Sequence, residues 1–378
     1  MTIQIPFNVP YLTGLEVEFI RDALDTKCLT GNGFYTQKAT TCLSELYSSS
    51  SVFLTNSCTT ALEMCAQILD LKSGDEIIVP SYTFVSTANA FVASGATPVF
   101  VDIDKSSLNI DPDIVEAAIT HRTKAVVAVH YAGNACSMSR LTHICSKYGL
   151  YLIEDAAQAV LSFDPSGKAL GTFGHLSCLS FHETKNITCG EGGALIVNDK
   201  TLVERAHIVY EKGTNRTLFL AGQVDKYTWR EKGSSYAMSE VVAAFLYAQL
   251  LESRNIIEKR RDRWQRYDSL LAKIPSSIYS LPPSILGSVT QNAHMYYLLA
   301  STPVLRSHIL QELNRRGVMA VFHYIPLHSS PAGIKYGRSF GVFPNTDSIS
   351  ARLIRLPLWV GVDCDYVVSC LKEVVLAV

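Results

Sequence analysis

Between residues 51 and 200 the chain alternates short, nearly uninterrupted apolar runs with stretches whose apolar positions recur at helical spacing. The runs Ser51–Thr55, Glu76–Val79, Thr97–Asp102, Ala125–His130, Tyr151–Glu154, Leu176–Phe181 and Ala194–Asn198 predict about seven strands. Most show no polar alternation, which is how strands covered on both faces of a mainly parallel sheet read. Between them Thr59–Leu69, Ser86–Ala93 and Met138–Tyr148 supply crossover helices. The expected architecture is α/β, a doubly wound, mainly parallel sheet.

Past Met238 a long helical pattern runs through Ala243, Leu246, Leu250 and Ile257 toward Trp264, and Pro275 with the pair Pro282-Pro283 breaks it. Strands are expected at Met295–Leu299 and Met319–Tyr324, and helices at Val304–Arg315, Ser348–Arg355 and Tyr366–Val375. A large unit is therefore expected over residues 1–254 and a smaller α+β unit over 255–378. No internal repeat or long linker separates them.

Composition narrows the function classes. The 33 Lys and Arg nearly cancel the 34 Asp and Glu, which leaves no broad basic field for nucleic acid or an anionic membrane. Any phosphate site must be local. The ten cysteines are scattered and none forms a C-x-x-C pair, so reduced thiols are expected and a disulfide scaffold is not. Met1–Pro6 carries no basic segment ahead of an apolar one, and no apolar run approaches roughly 18 residues. The expectation is a cytoplasmic enzyme.

In open α/β sheets ligands sit beyond the carboxyl ends of the strands. The first strand is followed by Asn56-Ser57-Cys58-Thr59-Thr60 and then a helix. Short hydroxylated residues opening a helix make a phosphate cradle, although Ser57 alone also suits a plain N-cap. Neither Walker A nor G-x-G-x-x-G occurs at this turn. The fifth strand ends in Glu154-Asp155-Ala156-Ala157-Gln158, where Asp155 can pair with a protonated ring nitrogen or cap a helix. The sixth leads into Phe181-His182-Glu183-Thr184-Lys185-Asn186 and Gly190-Glu191-Gly192-Gly193. A lysine just past a buried strand can form a Schiff base if desolvation lowers its pKa, whereas most lysines are solvated surface charges. Asn186 stands where a zinc helix H-E-x-x-H needs histidine, so no metal is expected. Phosphate cradle, pyridinium partner and imine-forming lysine together are what pyridoxal 5'-phosphate requires of a protein.

Six stretches carry a more specific likeness: Gly31–Thr36, Pro80–Phe84, Gly95–Asp102, His130–Gly133, Glu154–Gln158 and Ser180–Gly193. On them the chain resembles the sugar aminotransferases of the DegT/DnrJ/StrS family, within the fold type I pyridoxal-phosphate enzymes, over essentially its whole length. The resemblance implies that Lys185 binds the cofactor and shuttles the proton, and that Asp155 holds the ring nitrogen protonated. It implies Phe84 on the ring face, Gln158 at the ring hydroxyl, and Ser57, Cys58, Thr59 and Ser180 around the phosphate. Unaided, Phe84 reads as a core aromatic and Gln158 as a solvated residue. Many members send an asparagine across a dimer interface to the phosphate; here Ser235, in Gly233-Ser234-Ser235-Tyr236, occupies that place.

Within the family, His182–Asn186, Ser234–Tyr236, Phe322–His328 and Glu211–Arg216 look like a narrower group, the transaminases that make dTDP-4-amino-4,6-dideoxygalactose for enterobacterial common antigen. That likeness implies a dTDP-4-keto-6-deoxyhexose and glutamate as substrates, and a homodimer with shared active sites. Arg216, Lys226, His323, Tyr324 and His328 are candidates for sugar or diphosphate contacts, each equally suited to an ordinary surface or packing role. The 4-amino-glucose epimer and C3 amination remain open alternatives. A sugar dehydratase of this fold is expected to replace the lysine with histidine, and a desulfurase needs a mobile-loop cysteine that none of the ten identifies. A non-catalytic sugar-nucleotide-binding regulator would need neither Lys185 nor Asp155.

Overall fold

The structure, a computed structural model, describes residues 4–48, 51–274, 278–282 and 291–377. Its strands are β1 (Val52–Thr55), β2 (Glu76–Pro80), β3 (Thr97–Val101), β4 (Thr123–Val129), β5 (Tyr151–Asp155), β6 (Leu176–Ser180), β7 (Gly193–Val197), β8 (Tyr279–Ser280), β9 (Tyr296–Ala300), β10 (Arg338–Ser339) and β11 (Leu353–Leu356). One eight-stranded sheet has the order β1-β7-β6-β5-β4-β2-β3-β10. Its pairings are parallel except at β7, which runs antiparallel to both β1 and β6.

Successive residues of β2 show why the apolar runs are unbroken. Ile77 and Val79 pack with the helices Cys58–Ile68 and Ser86–Ala93 on one face. Ile78, between them, points to the other face, against the helices Pro112–Ala118 and Met138–Tyr148. Both faces being covered, each position along the strand must be apolar. The helices Phe34–Tyr47 and Glu240–Leu251 cover Leu54, Leu179 and Ile196 in the same way. This mostly parallel sheet with helices on both sides is the fold type I arrangement.

A second, antiparallel sheet of order β11-β9-β8 carries the helices Ser253–Leu271, Pro303–Arg315 and Cys364–Leu376 around Trp264, Tyr296 and Leu371. Four expectations are corrected here. The large sheet gains an eighth strand, because β10 returns from far down the chain to pair with β3. The long helix expected past Met238 is two helices that meet at Glu252 (φ −99°, ψ 7°). Met319–Tyr324 is no strand: only Val321 pairs, with Arg355, and the next carbonyl but one, that of His323, is taken by the Tyr82 hydroxyl. The helix expected over Ser348–Arg355 stops at Arg352, where Leu353 turns extended (φ −76°, ψ 134°) and pairs with β9. Pro275 and Pro283 lie outside the described residues. Among the described residues no helix is long and apolar enough to cross a membrane, and no group of side chains could hold a metal ion.

Candidate active site

A pocket of about 360 Å³ opens where β5 and β6 end and the helix Cys58–Ile68 begins. Ten of the residues singled out in the sequence line it: Ser57, Cys58, Thr59, Phe84, Asp155, Gln158, Ser180, Lys185, His323 and Tyr324. A larger hollow of about 680 Å³, around Leu150–Leu152 and His175, lies at the amino ends of β5 and β6 and contains none of them.

The cradle follows from local geometry. Ser57 is extended (φ −164°, ψ 165°), and its hydroxyl accepts from the Thr60 N–H at 3.1 Å. Thr60 Oγ1 accepts in return from the Ser57 N–H at 3.1 Å. The Ser57 side chain is thus committed to capping, and the first-turn N–H groups of Cys58 and Thr59 are the donors a helix leaves unpaired. The Thr59 hydroxyl meets Ser86 Oγ at 2.8 Å. A Cβ at Gly193, where β7 passes below, would lie 2.4 Å from Ser57 C and 2.5 Å from Cys58 N. Only glycine permits this approach.

Asp155 closes β5 and is buried. Its Oδ2 accepts from Thr87 Oγ1 at 2.7 Å and its Oδ1 from the Ala157 N–H at 3.2 Å. Among the described residues no cation pairs with it. Directly behind it, Glu154 and His130 form a wholly buried 2.9 Å contact, and Glu154 also accepts from the N–H groups of Gly171, Phe173 and Gly174. Those bonds fix the strand that aims Asp155 into the pocket.

Lys185 sits on the turn after β6, its N–H bonded to the His182 carbonyl at 2.9 Å. Burial pulls its ammonium below the usual lysine range, with Cys58 and Asp155 opposing the shift. Burial also pushes the Cys58 thiol well above its ordinary value, which keeps it neutral. Gln158 Oε1 accepts from the Ala132 N–H at 2.7 Å while its Nε2 donates to the Tyr324 hydroxyl at 3.0 Å. Phe84 is 54 % exposed, with its ring centroid 6.1 Å from that of Tyr324. His323 Nδ1 meets the Tyr131 hydroxyl at 2.9 Å, and burial, then Arg355, holds its imidazole far below the usual histidine range.

Four of the candidate residues do not reach this pocket within the chain. Ser235 is exposed and gives its carbonyl to Asn56 Nδ2 at 3.1 Å. Arg216 opens the short helix Arg216–Leu220 and faces Glu211 at 3.9 Å, and Lys226 is exposed on the same segment. His328 stacks on Phe343 at 3.8 Å, with Nδ1 2.7 Å from Ser81 Oγ, so it ties two loops together behind the site.

Of the lining residues that escaped sequence reasoning, three carry groups that bear on the chemistry. Thr87 orients Asp155, and its spacing of four from Thr83, to which it bonds at 2.9 Å, was the available signal. His294 is buried beside Asn186, and nothing in its own segment marks it. Arg355 is a lone cation inside the apolar run Leu353-Ile354-Arg355-Leu356, an anomaly visible in the sequence.

Two observations show that these residues fit pyridoxal phosphate: a buried carboxylate facing the pocket without a cation, and a helix start held open by Gly193. The model of the DegT/DnrJ/EryC1/StrS aminotransferase family matches residues 10–374. GDP-perosamine synthase of Vibrio cholerae is 31% identical over 378 residues, which cover 98% of both chains. The aminotransferase TlmJ from Streptoalloteichus hindustanus superposes with a TM-score of 0.90 at 29% identity, covering 99% of each chain. The sugar aminotransferase Spr1654 of Streptococcus pneumoniae, described as putative and in its PMP form, gives 0.89 at 26% identity, covering 98% of this chain and 99% of that one.

Proposed function

The chain belongs to the DegT/DnrJ/EryC1/StrS aminotransferase family and is a pyridoxal-phosphate-dependent sugar aminotransferase; from that premise we propose that it transfers the amino group of glutamate to C4 of a dTDP-4-keto-6-deoxyhexose. The products are dTDP-4-amino-4,6-dideoxygalactose and 2-oxoglutarate, the sugar serving surface polysaccharide synthesis such as enterobacterial common antigen or O-antigen. The observation that carries this reading is that His182–Asn186 and Phe322–His328, two of the four stretches that carry the narrower likeness, meet at one pocket through His182, Lys185, His323 and Tyr324.

When bound, the cofactor supplies a carbonyl carbon that takes up an amino group and a ring that draws electrons from the reacting carbon. The chain's own groups do the rest. Nζ of Lys185 would hold the cofactor through that carbonyl carbon, and its neutral amine would take and return a proton at the substrate carbon bearing nitrogen. Its lowered pKa makes the neutral amine available for this at lower cost. Asp155, fixed by Thr87 and the Ala157 N–H, keeps the ring nitrogen protonated. The N–H groups of Cys58 and Thr59, with the Ser180 hydroxyl, would hold the phosphate, and Phe84, Gln158 and Tyr324, which line the same pocket, would hold the ring.

Ser235, Arg216 and Lys226 stand away from their own chain's pocket, which favours their action on a partner's site in a homodimer. Incubation with glutamate and dTDP-4-keto-6-deoxyglucose, followed by mass spectrometry and NMR of the sugar, tests the assignment. An axial C4 amine is expected; an equatorial C4 amine or a C3 amine would assign a related product instead, and no aminated product would remove the proposed substrate.

A further inference from the structure

His130 follows β4 directly and Glu154 stands in β5 beside it, both side chains wholly buried, with His130 Nε2 2.9 Å from Glu154 Oε2. The surrounding hydrogen bonds decide how much charge this pair carries. His130 Nδ1 accepts from the Cys136 N–H at 3.2 Å, so it bears no hydrogen of its own. Burial disfavours a second hydrogen on the ring while Cys136 and Glu154 favour it, and the balance lies above the ordinary histidine range. That hydrogen would nevertheless have to sit on Nδ1, where the Cys136 N–H already points. The pull ascribed to Cys136 also needs an ionised thiol, and this thiol donates its hydrogen to the Val129 carbonyl at 3.2 Å. The imidazole is therefore neutral and donates through Nε2. Glu154 takes that bond and three more, from the N–H groups of Gly171 at 2.8 Å and of Phe173 and Gly174 at 2.6 Å each. Every lone pair of the carboxylate is met, and none of the donors is a cation.

A buried carboxylate with no cation is costly. The groups around it do not relieve that cost: Lys168 lies exposed over the Phe173 ring at 4.1 Å, His175 turns Nδ1 to the Leu152 N–H at 2.9 Å, and burial pushes the Tyr47 phenol up, with Glu154 adding to the shift. The loop is nevertheless shaped to keep the charge. Gly171 has φ +105°, and a Cβ at Gly174 would stand 2.6 Å from the Leu152 carbonyl oxygen, so glycine at both positions lets the backbone N–H groups close on Glu154. Alternation along β5 then fixes where the charge lies. Ile153 and Asp155 face the helices Cys58–Ile68 and Ser86–Ala93, whereas Leu152 and Glu154 face the other way, so Glu154 stands across the sheet from Asp155. Asp155 itself gives up part of its charge to the Thr87 hydroxyl and the Ala157 N–H, which weakens its hold on a proton shared with the ring nitrogen.

We propose that Glu154 acts on the cofactor from across the sheet: its buried charge, left uncancelled by a neutral His130, supports Asp155 in keeping the ring nitrogen protonated. This rests on the cofactor alone, so neither the amino donor nor the sugar proposed above enters it. A unit charge roughly 10 Å away, one side chain on each face of the sheet, moves a titration by about one pH unit within protein. Holding the Gly171–Gly174 loop is the other service Glu154 performs. That service needs its oxygen atoms and not its charge, which makes the two roles separable.

The test uses holoenzyme carrying pyridoxal phosphate labelled at the ring nitrogen. Nitrogen NMR follows the pH at which that signal passes from pyridinium to pyridine, and melting temperatures are recorded alongside. The charged groups of the pocket itself, Lys185, Arg355 and Glu191 with His182 beside it, are common to every form and cancel from the comparison. In Glu154→Gln the midpoint should fall by about one pH unit, or appear where the wild type shows none. In His130→Gln, which keeps both a donor to Glu154 and the charge, the midpoint should stay with the wild type even where the melting temperature drops. His130→Lys, whose ammonium cancels the same charge with Glu154 intact, should show the fall again, and it decides if Glu154→Gln fails to fold. Equal midpoints in wild type and Glu154→Gln overturn the proposal, as does a ring nitrogen protonated over the whole stable pH range in every form. A fall of the same size in His130→Gln overturns it too, because the loss would then follow from the loop and not from the charge.

Discussion

Replacing Gly193 by alanine tests the cradle through its backbone. A Cβ there would meet three main-chain atoms, Ser57 C at 2.4 Å and Cys58 N and Ser57 O at 2.5 Å, where ordinary contact begins at 3.4 Å. The gap must open by the difference, 3.4 − 2.4 Å, or 1.0 Å. The strand cannot retreat, because Gly193 is paired with Thr55 on one side and Ser180 on the other. The helix start has to move instead, and with it the Cys58 and Thr59 N–H groups. Overpacking of this kind costs about 1–3 kcal/mol, which corresponds to a loss of cofactor affinity of about fivefold to 150-fold. Apoenzyme would be titrated with pyridoxal phosphate by absorbance, with the apo melting temperature recorded alongside. Affinity within twofold of wild type, at an unchanged melting temperature, would refute the reasoning.

Thr87→Val keeps the shape but removes the donor to Asp155 Oδ2; kcat should fall about tenfold with the cofactor still bound, since one hydrogen bond to a charged group is worth about 1.5–3 kcal/mol, and an unchanged kcat counts against the role given to Thr87. Glu76 is 2 % exposed and accepts from Arg338 at 2.9 and 2.8 Å, with Arg122 at 2.6 Å, so Glu76→Gln should cost roughly 2 kcal/mol in urea unfolding at pH 7. Arg338 foremost, with Thr120 and Arg122, holds that carboxyl below its usual range against the effect of burial. Its stabilisation is therefore complete above the ordinary carboxylate pKa of 4.5 and is lost as pH falls through the lower folded value, so the variant should show a shallower acid limb. Stripping the cofactor should lower stability by about 2.7 kcal/mol relative to protein held at a hundredfold excess over Kd, and equal melting of the two forms would contradict cofactor binding by the native fold alone.

Seven of the eight strands of the large sheet, β1 to β7, stand close to their expected positions because they are covered on both faces, so the requirement falls on every residue and shows as an unbroken run. β10 was not legible: two residues, Arg338 and Ser339, pair at an edge and carry no period. Leu353–Leu356 reads as the tail of a helix because an apolar run of that length fits either state, and its pairing with β9, which decides the matter, is a tertiary fact. Lys185 and Asp155 were visible because strand ends are where a parallel sheet exposes its chemistry. Arg355 stands out in the sequence as a lone cation in the Leu353–Leu356 run, but its place in the pocket follows from the strand pairing and not from the run itself. Arg216, Lys226 and Ser235 lie away from the pocket of their own chain, a placement that neither spacing nor hydrophobic pattern encodes.

The most direct test reduces the yellow holoenzyme with borohydride, digests it and maps the pyridoxyl mass by tandem mass spectrometry. The label should sit on Lys185 and be absent from Lys185→Ala, whose purified form should lack the cofactor's imine absorbance. A label on another lysine, or an unmodified Lys185 in protein that has bound the cofactor, would contradict the assignment.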